Sequence, residues 1–528
     1  MPGARSARRW RTTVGWLGLW LALAALHGIW SVSIPVMASP DEPSHVVRAA
    51  AVARGQWSGE LGAAPTDASM PGAATTVRLP SDYEAALKLP NCFAFYPDQP
   101  ASCQQDVAPP DGSTVSVETF AGQYPPLYYA LVGWPSRFLS VEASVYAMRV
   151  VSGLIASALL VWGVARLRST TLPAAATWAA LIALTPMTFF MGATVNPEAL
   201  EISSAVAFWA ACLALATSAG RPARAAVVQA VVAGALLVNA RTSGPVWALA
   251  IVVISLVLAP KGRARALWAV RSMRWAVALA VAAGLAATTW VATHGGVVTG
   301  DHLFPQYANP VRVTRAVLSL TNAYMLQMIG DFGWLDAPSP PLTTALWFAA
   351  AGSLLLVTLA APVSRRVRLG FVLAALVVVG APVALQIPTA VDTGIIWQGR
   401  YTLPAAVGVP MVAAVALTSV RGPLDELVRR MARWTVPALA VAQVAAFWWA
   451  LRRYSVGLKG QLITTSPDWS SPLGYLSAVA LYAVLVAAVT GAAWWSLRPT
   501  ATASAAGPPR SPAARDVLPA PVTQEPSV

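Results

Sequence analysis

Charge is what this sequence has least of. Only 11% of its 528 residues are Asp, Glu, Lys or Arg, where a soluble domain carries about a quarter, so a water-soluble globule is excluded. Cysteine is nearly absent: three residues cannot build a disulfide scaffold or a cysteine metal cluster. No Lys/Arg-dense patch occurs either, so the formal charge of +14 does not mark a nucleic-acid binder. The basic residues instead sit in small groups between long apolar runs.

Those runs are what the chain has in excess, at 56% hydrophobic residues. Stretches long enough to cross a bilayer, about 17–25 residues, fall at 13–36, 143–165, 172–194, 198–219, 224–240 and 243–259. Six more follow at 275–293, 342–363, 369–386, 401–420, 435–451 and 473–497. Twelve spans predict an all-α polytopic membrane protein with both termini on one side. That side collects 23 basic and four acidic residues, a balance of +19, and the other holds 13 basic and 18 acidic, a balance of −5. The positive-inside rule makes the first side cytoplasmic. Arg452 and Arg453, just beyond the eleventh span, break the pattern.

Tyr124–Leu139 is apolar but short and interrupted by Pro135. Counting it as a span would turn every later Arg group outward, so it is read as an interfacial helix. The Arg-rich start and Val36-Met37-Ala38 also suit a cleaved signal peptide; the length of the apolar run favours a retained span. Residues 1–12 then form a cytoplasmic N-terminus and 13–497 the membrane domain. The Pro/Ala/Ser-rich 498–528 reads as a disordered cytoplasmic tail.

The outer loops hold the polar material: a large one from 37 to 142 including the interfacial segment, a medium one at 294–341, and shorter ones at 387–400 and 452–472. Cys92 and Cys103 share the first, in an oxidising compartment, and are read as a disulfide. Cys212 lies mid-span as a small apolar residue.

The first loop begins Ser39-Pro40-Asp41-Glu42-Pro43-Ser44-His45-Val46-Val47-Arg48. Pro43 opens an Ala/Val-rich helix running to Arg54, and Asp41 or Glu42 suits its N-cap. His45 and Arg48 would then be ordinary members of its polar face. A carboxylate held rigidly there could equally serve chemistry. A second acidic group, Asn196-Pro197-Glu198-Ala199-Leu200-Glu201, also reads as a helix start. Arg400 and Arg241 sit at membrane depth, where a guanidinium either snorkels to headgroups or binds a phosphate. The stretch Gly330–Pro341, with Asp331, Phe332, Trp334 and Asp336, is either a sugar-stacking lid or a loop anchored by its aromatics.

These segments resemble the glycosyltransferase-C (GT-C) superfamily. The features are Asp41-Glu42 just after the first span, a large first outer loop, and Tyr124-Pro125-Pro126-Leu127-Tyr128-Tyr129. Arg149 fits that pattern loosely and is given no role. More narrowly, Pro-Asp-Glu-Pro-Ser-His at 40–45, Asn-Pro-Glu at 196–198, the 330–336 segment and Gly-Arg-Tyr-x-x-Pro at 399–404 resemble a bacterial, chiefly actinobacterial, family of predicted multi-spanning membrane proteins of unassigned function. The likeness covers about residues 10–500.

The resemblance implies a transferase that moves a sugar from a polyprenyl-phosphate donor to an envelope glycan or glycolipid at the outer membrane face, with inversion. Catalytic roles fall to Asp41, Glu42 and Glu198. Substrate binding falls to Arg400, Tyr401, Arg241, His45, Tyr124, Asp331 and Trp334. The second acidic site is Asn-Pro-Glu without the Asp common elsewhere, and no Asp-x-Asp motif appears, which leaves a divalent cation open. The alternatives are a transporter or flippase of a lipid-linked saccharide, and a non-catalytic glycan-binding relative. No internal repeat appears, and the candidate groups lie at the membrane edge rather than the midplane, which disfavours transport.

Overall fold

The computed structural model describes residues 2–61, 75–109, 111–294, 303–419 and 423–498, with backbone only for 2–12, 61 and 423. The tail expected to be disordered lies, from residue 499 on, outside the described residues. Among the described residues, nine helices are long and apolar enough to cross a membrane: Thr13–Ser33, Val141–Thr170, Glu198–Thr217, Arg271–His294, Pro341–Ala360, Arg365–Gln386, Gly399–Thr418, Leu424–Val456 and Tyr475–Ser496. A tenth is broken. Pro173–Ala183 and Pro186–Gly192 meet at 65°, because Pro186 has no amide hydrogen to continue the helix and Thr185 caps the new start by accepting the Thr188 amide.

The expected count of twelve differs from this at one place. The spans at 224–240 and 243–259 become Arg224–Val238 and Gly244–Leu258, 15 residues each. Such a helix is about 22 Å long, short of a hydrocarbon core of about 30 Å. The two pack on each other as a hairpin whose tip is Asn239–Ser243. A hairpin and a pair of crossings leave later loops on the same sides.

Glu198–Thr217 is the centre of the bundle, 94% of its apolar window being buried. It packs against Val141–Thr170, Arg224–Val238 and Gly244–Leu258. At the periphery, Arg271–His294 and Tyr475–Ser496 are 11% and 17% buried, leaving residues such as Trp275, Leu279 and Val484 exposed for lipid to cover. Because Glu198 is the first residue of the most buried helix, its carboxylate is fixed at one end of the bundle.

At that end sits the segment after the first span. Pro43 starts a helix as expected, Glu42–Ala53. Against it packs a three-stranded antiparallel sheet, Glu60–Leu61, Thr75–Pro80 and Thr114–Thr119, in the loop expected to carry interfacial helices. Val77 faces Val117 across the ladder, and both are buried while their strand neighbours alternate outward. Thr114-Val115-Ser116-Val117 carries that period-2 pattern openly. Tyr124–Leu139 does not cross: it forms the six-residue helix Leu127–Val132 and a 3-10 turn, Trp134–Arg137. Tyr128, Tyr129 and Val132 point inward, and Trp134 and Phe138 are exposed.

Cys92 and Cys103 are joined, with Cα atoms 6.0 Å apart. Their loop is clamped by Arg453, which donates to the carbonyls of Phe93, Tyr96 and Gln99 and to the Asp336 carboxylate. The eleventh span is longer than expected, its helix running Pro423–Val456, so Arg452 and Arg453 lie on its last turns rather than beyond it. Arg452 donates to the carbonyls of Leu458, Gly460 and Gln461. Both exceptions to the charge pattern thus serve as carbonyl clamps.

Candidate functional site

The two acidic segments are brought together, and neither carboxylate pair does the same job twice. Asp41 occupies the N-cap position of Glu42–Ala53 but makes no side-chain cap, and its backbone is left-handed, with φ 63°. The capping expected of it is therefore not what its carboxylate does. Its Oδ2 lies 2.7 Å from Nη2 of Arg400. A non-glycine residue in that conformation costs on the order of 1–3 kcal/mol and persists where surrounding structure imposes it.

Glu42 points the other way and is fully buried. It accepts from Arg149 Nε at 2.7 Å and Nη2 at 2.5 Å, and from the Val195 amide at 3.0 Å. Arg149 also donates to the carbonyls of Ser31, Ile34 and Pro35. One carboxylate therefore ties the end of the first span, the helix after it and the turn before Glu198. Asn196 completes the join: its Nδ2 donates to the Pro40 carbonyl at 3.3 Å, and its Oδ1 accepts the Glu198 amide at 2.9 Å.

Glu198 thereby faces two arginines. Arg400 Nε is 3.1 Å from its carboxylate. Arg241, at the tip of the short-helix hairpin, places Nη1 3.3 Å from Glu198 and 3.6 Å from Glu201, in ion-pair contact without hydrogen-bond alignment. Ser243 donates to Glu201 at 2.6 Å. Tyr401 lies beneath both guanidiniums, 4.4 Å from the Arg241 guanidinium carbon and 5.1 Å from that of Arg400, centroid to carbon. Tyr124 covers Arg241 from 5.6 Å. Arg400 is buried, yet its Nη1 has no hydrogen-bond partner. Asp41, 30% exposed against 2% for Arg400, is the open member of the cluster.

The remaining candidates divide. His45 shares a hydrogen bond with the Tyr129 hydroxyl at 2.9 Å and lies 5.7 Å from the Tyr124 ring. Burial, and then the charges of Arg241 and Arg400, hold its pKa well below the usual value, so it is a neutral wall of the site. Asp331, on the short hairpin Asp331–Phe332/Ala337–Pro338, is near enough to feel the Arg400 charge. Trp334 is turned toward the disulfide loop, its ring 5.5 Å from Phe95. Among the described residues, no group of three or more His, Cys, Asp or Glu could hold a metal ion. Asp41, Glu198 and Glu201 are already faced by Arg241 and Arg400, a donor set that does not fit a divalent cation.

Burial and the neighbouring Asp336 push the Asp331 carboxyl up to about 6, against the pull of Arg400. A carboxyl raised in the folded state stabilises the fold below its unfolded pKa, and that contribution is lost as pH rises through about 6. Asp331→Asn is therefore expected to be more stable than the wild type above pH 6, by on the order of 1–2 kcal/mol, and no more stable near pH 4. Thermal unfolding of both proteins across that range checks it.

Sequence reasoning passed over Arg149, Glu201 and Tyr129. The signal for Arg149 was available, since a charge inside a span is functional or paired by default. Glu201, three residues after Glu198, shares its helix face.

A polytopic helical membrane protein with a buried arginine–carboxylate cluster at one end of its bundle is the class these features define. Residues 25–409 match the model of a family of predicted membrane proteins, DUF2142, and the chain belongs to that family. No curated protein matches it. Two crystal structures of ArnT from Cupriavidus metallidurans, one bound to undecaprenyl phosphate and one in the apo state, superpose with TM-scores of 0.43 at 14% identity. They cover 91% and 92% of this chain and 76% and 77% of theirs. The superposition is too loose for either neighbour's chemistry to be carried across.

Proposed function

We propose that this protein is a GT-C-type glycosyltransferase of the cell membrane, with both termini cytoplasmic and the Asp41 cluster on the extracytoplasmic face. It transfers a sugar from a polyprenyl-phosphate donor to an envelope glycan or glycolipid. The observation that carries the reading is the Asp41 carboxylate, uncapped and partly open, 2.7 Å from a buried arginine. A base is thereby placed beside an anion-binding group. The motif resemblance at 40–45, 196–198 and 399–404 points the same way.

In the proposed reaction Asp41 accepts the proton of the acceptor hydroxyl as its oxygen bonds to the anomeric carbon. The anomeric carbon–phosphate oxygen bond breaks with inversion, and polyprenyl phosphate leaves with the electron pair. The leaving phosphate gains one negative charge, which Arg400 and Arg241 stabilise. Without donor, Asp41 occupies an Arg400 donor group; phosphate competes for it and frees the carboxylate for the acceptor. Glu198 orients both arginines, and Glu42 acts through Arg149 and Val195 as a positioning residue. Tyr401, Tyr124, His45 and Asp331 line the site, and Trp334 serves the Asp331 hairpin.

All four charged groups lie at element ends: Asp41 before a helix, Glu198 at the start of one, Arg241 in a hairpin tip, Arg400 at the start of 399–418. The span pattern puts these ends at the membrane edge, whereas transporters bind their substrates near the midplane. Incubating the purified protein with radiolabelled polyprenyl-phosphate sugar and envelope acceptors separates the readings. Labelled glycan is the expected product. Movement of label across the bilayer without bond formation would mark a flippase, and binding alone a non-catalytic relative. Arg400→Lys keeps the charge but cannot bridge Asp41 and Glu198 or stack as a plane on Tyr401; its donor affinity is expected to fall about tenfold, measured by equilibrium binding of labelled donor.

A further inference from the structure

Arg48 is the buried arginine beside the Asp41 cluster whose charge meets no carboxylate among the described residues; Arg452, likewise without one, is satisfied by three carbonyls instead. Arg48 is fully buried. Its Nη2 donates to the Trp57 carbonyl, while Nε and Nη1 have no hydrogen-bond partner. Its guanidinium carbon lies 5.8 Å from the Tyr129 ring and 5.7 Å from the Trp290 ring. Arg149, Arg241, Arg400 and Arg453 are each ion-paired. Two aromatic faces offset only part of the cost of withdrawing a guanidinium from water, so the free donors are a feature to be explained.

Its position supplies the explanation. His45 and Arg48, three residues apart, share one face of the helix Glu42–Ala53, and Asp41 stands at its N-cap position. Glu42 belongs to the neighbouring stripe that faces Arg149. Arg48 is therefore about 10 Å along the helix from Asp41, with His45, Tyr124 and Tyr129 lying between it and Arg241. One or two sugar rings bridge such a separation. Aromatic faces next to unpaired guanidinium donors suit a saccharide that carries an anion.

We propose that Arg48, with Tyr129 and Trp290, is a second anion subsite that holds a phosphate or carboxylate group borne by the acceptor saccharide, one or two rings from the hydroxyl that reacts. The acceptor assignment rests on the glycosyl-transfer reading; the anion subsite does not. Specificity follows: the enzyme takes anionic acceptors and discriminates against their neutral counterparts.

The test is equilibrium binding of radiolabelled glucose 6-phosphate to the full-length protein in phosphatidylcholine nanodiscs, a measurement that needs no transfer to occur. Binding is expected that unlabelled glucose does not compete away and that, in an Arg400→Gln background that removes the donor-phosphate site, Arg48→Gln weakens at least about tenfold. Binding that Arg48→Gln leaves unchanged in that background, or that Arg400→Gln alone abolishes, overturns the subsite. Should Arg48→Gln fail to fold, Arg48→Lys and Trp290→Leu decide in the same background: both weaken binding if the stacked guanidinium is the site, and unchanged binding by both refutes it. Repeating the titration in phosphatidylglycerol nanodiscs identifies the source of the anion. Unchanged affinity supports an acceptor group, and competition by the lipid overturns the acceptor assignment in favour of a headgroup. Absence of transfer beside intact Arg48-dependent binding refutes the glycosyl-transfer reading alone.

Discussion

Asp41→Asn is expected to lower turnover by about 10²–10⁴-fold, the range that loss of a general base produces, while the protein folds normally. Three observations separate the two effects. Asparagine tolerates a left-handed backbone better than other non-glycine residues, so the φ of 63° at this position is kept. The side chain makes no cap, so the helix loses nothing. And the carboxylate is partly exposed, with Arg400 as its ion-pair partner, so its removal strands no buried charge: Arg400 keeps Glu198. Donor affinity is expected to hold or improve, because the phosphate no longer competes with Asp41. Steady-state kinetics with labelled donor therefore show a fall in kcat without a rise in KM. Full turnover by the variant would place the base elsewhere.

Arg149→Met is expected to be the most destabilising single change in this region. Glu42 and Arg149 are both fully buried, and breaking such a pair by removing one partner costs about 3–5 kcal/mol because the other charge is left uncompensated. Here the loss is larger than an isolated pair would give, since the carbonyls of Ser31, Ile34 and Pro35 lose their donor as well. Glu42→Gln is milder, for the amide oxygen can still accept from Arg149. The double variant Arg149→Met/Glu42→Leu removes both charges and is expected to recover part of the loss, short of wild type by the three carbonyls. Thermal unfolding in detergent of the wild type, Arg149→Met, Glu42→Leu and the double variant gives the coupling. A double variant as unstable as the summed singles would show the pair to be independent.

The helical class and most span positions were legible because apolar runs between basic clusters carry them directly. Fifteen-residue helices at 224–238 and 244–258 were not, since hydropathy measures apolar length and not where a helix stops. The sheet strand Thr114–Thr119 alternates plainly, but its one partner, Thr75–Pro80, and the two-residue strand paired beyond that are hidden in a long polar loop. At the site, the residue types that converge, Asp41, Glu198, Arg241 and Arg400, were legible from their places at span ends. The division of labour within Asp41-Glu42 was not. Adjacent residues on a helix start point about 100° apart, and which of them meets a buried arginine depends on Arg149, more than a hundred residues away. Arg48 likewise read as one member of a polar face, because exposure is a property of the packed molecule.

The account stands most directly on where the donor phosphate binds. A cryo-EM structure with polyprenyl-phosphate sugar bound is expected to show the phosphate on Arg400 and Arg241 over the Tyr401 ring, with the Asp41 carboxylate released from Arg400 and facing the anomeric carbon. A phosphate held away from both arginines, with the Asp41–Arg400 pair still closed at 2.7 Å, would contradict it.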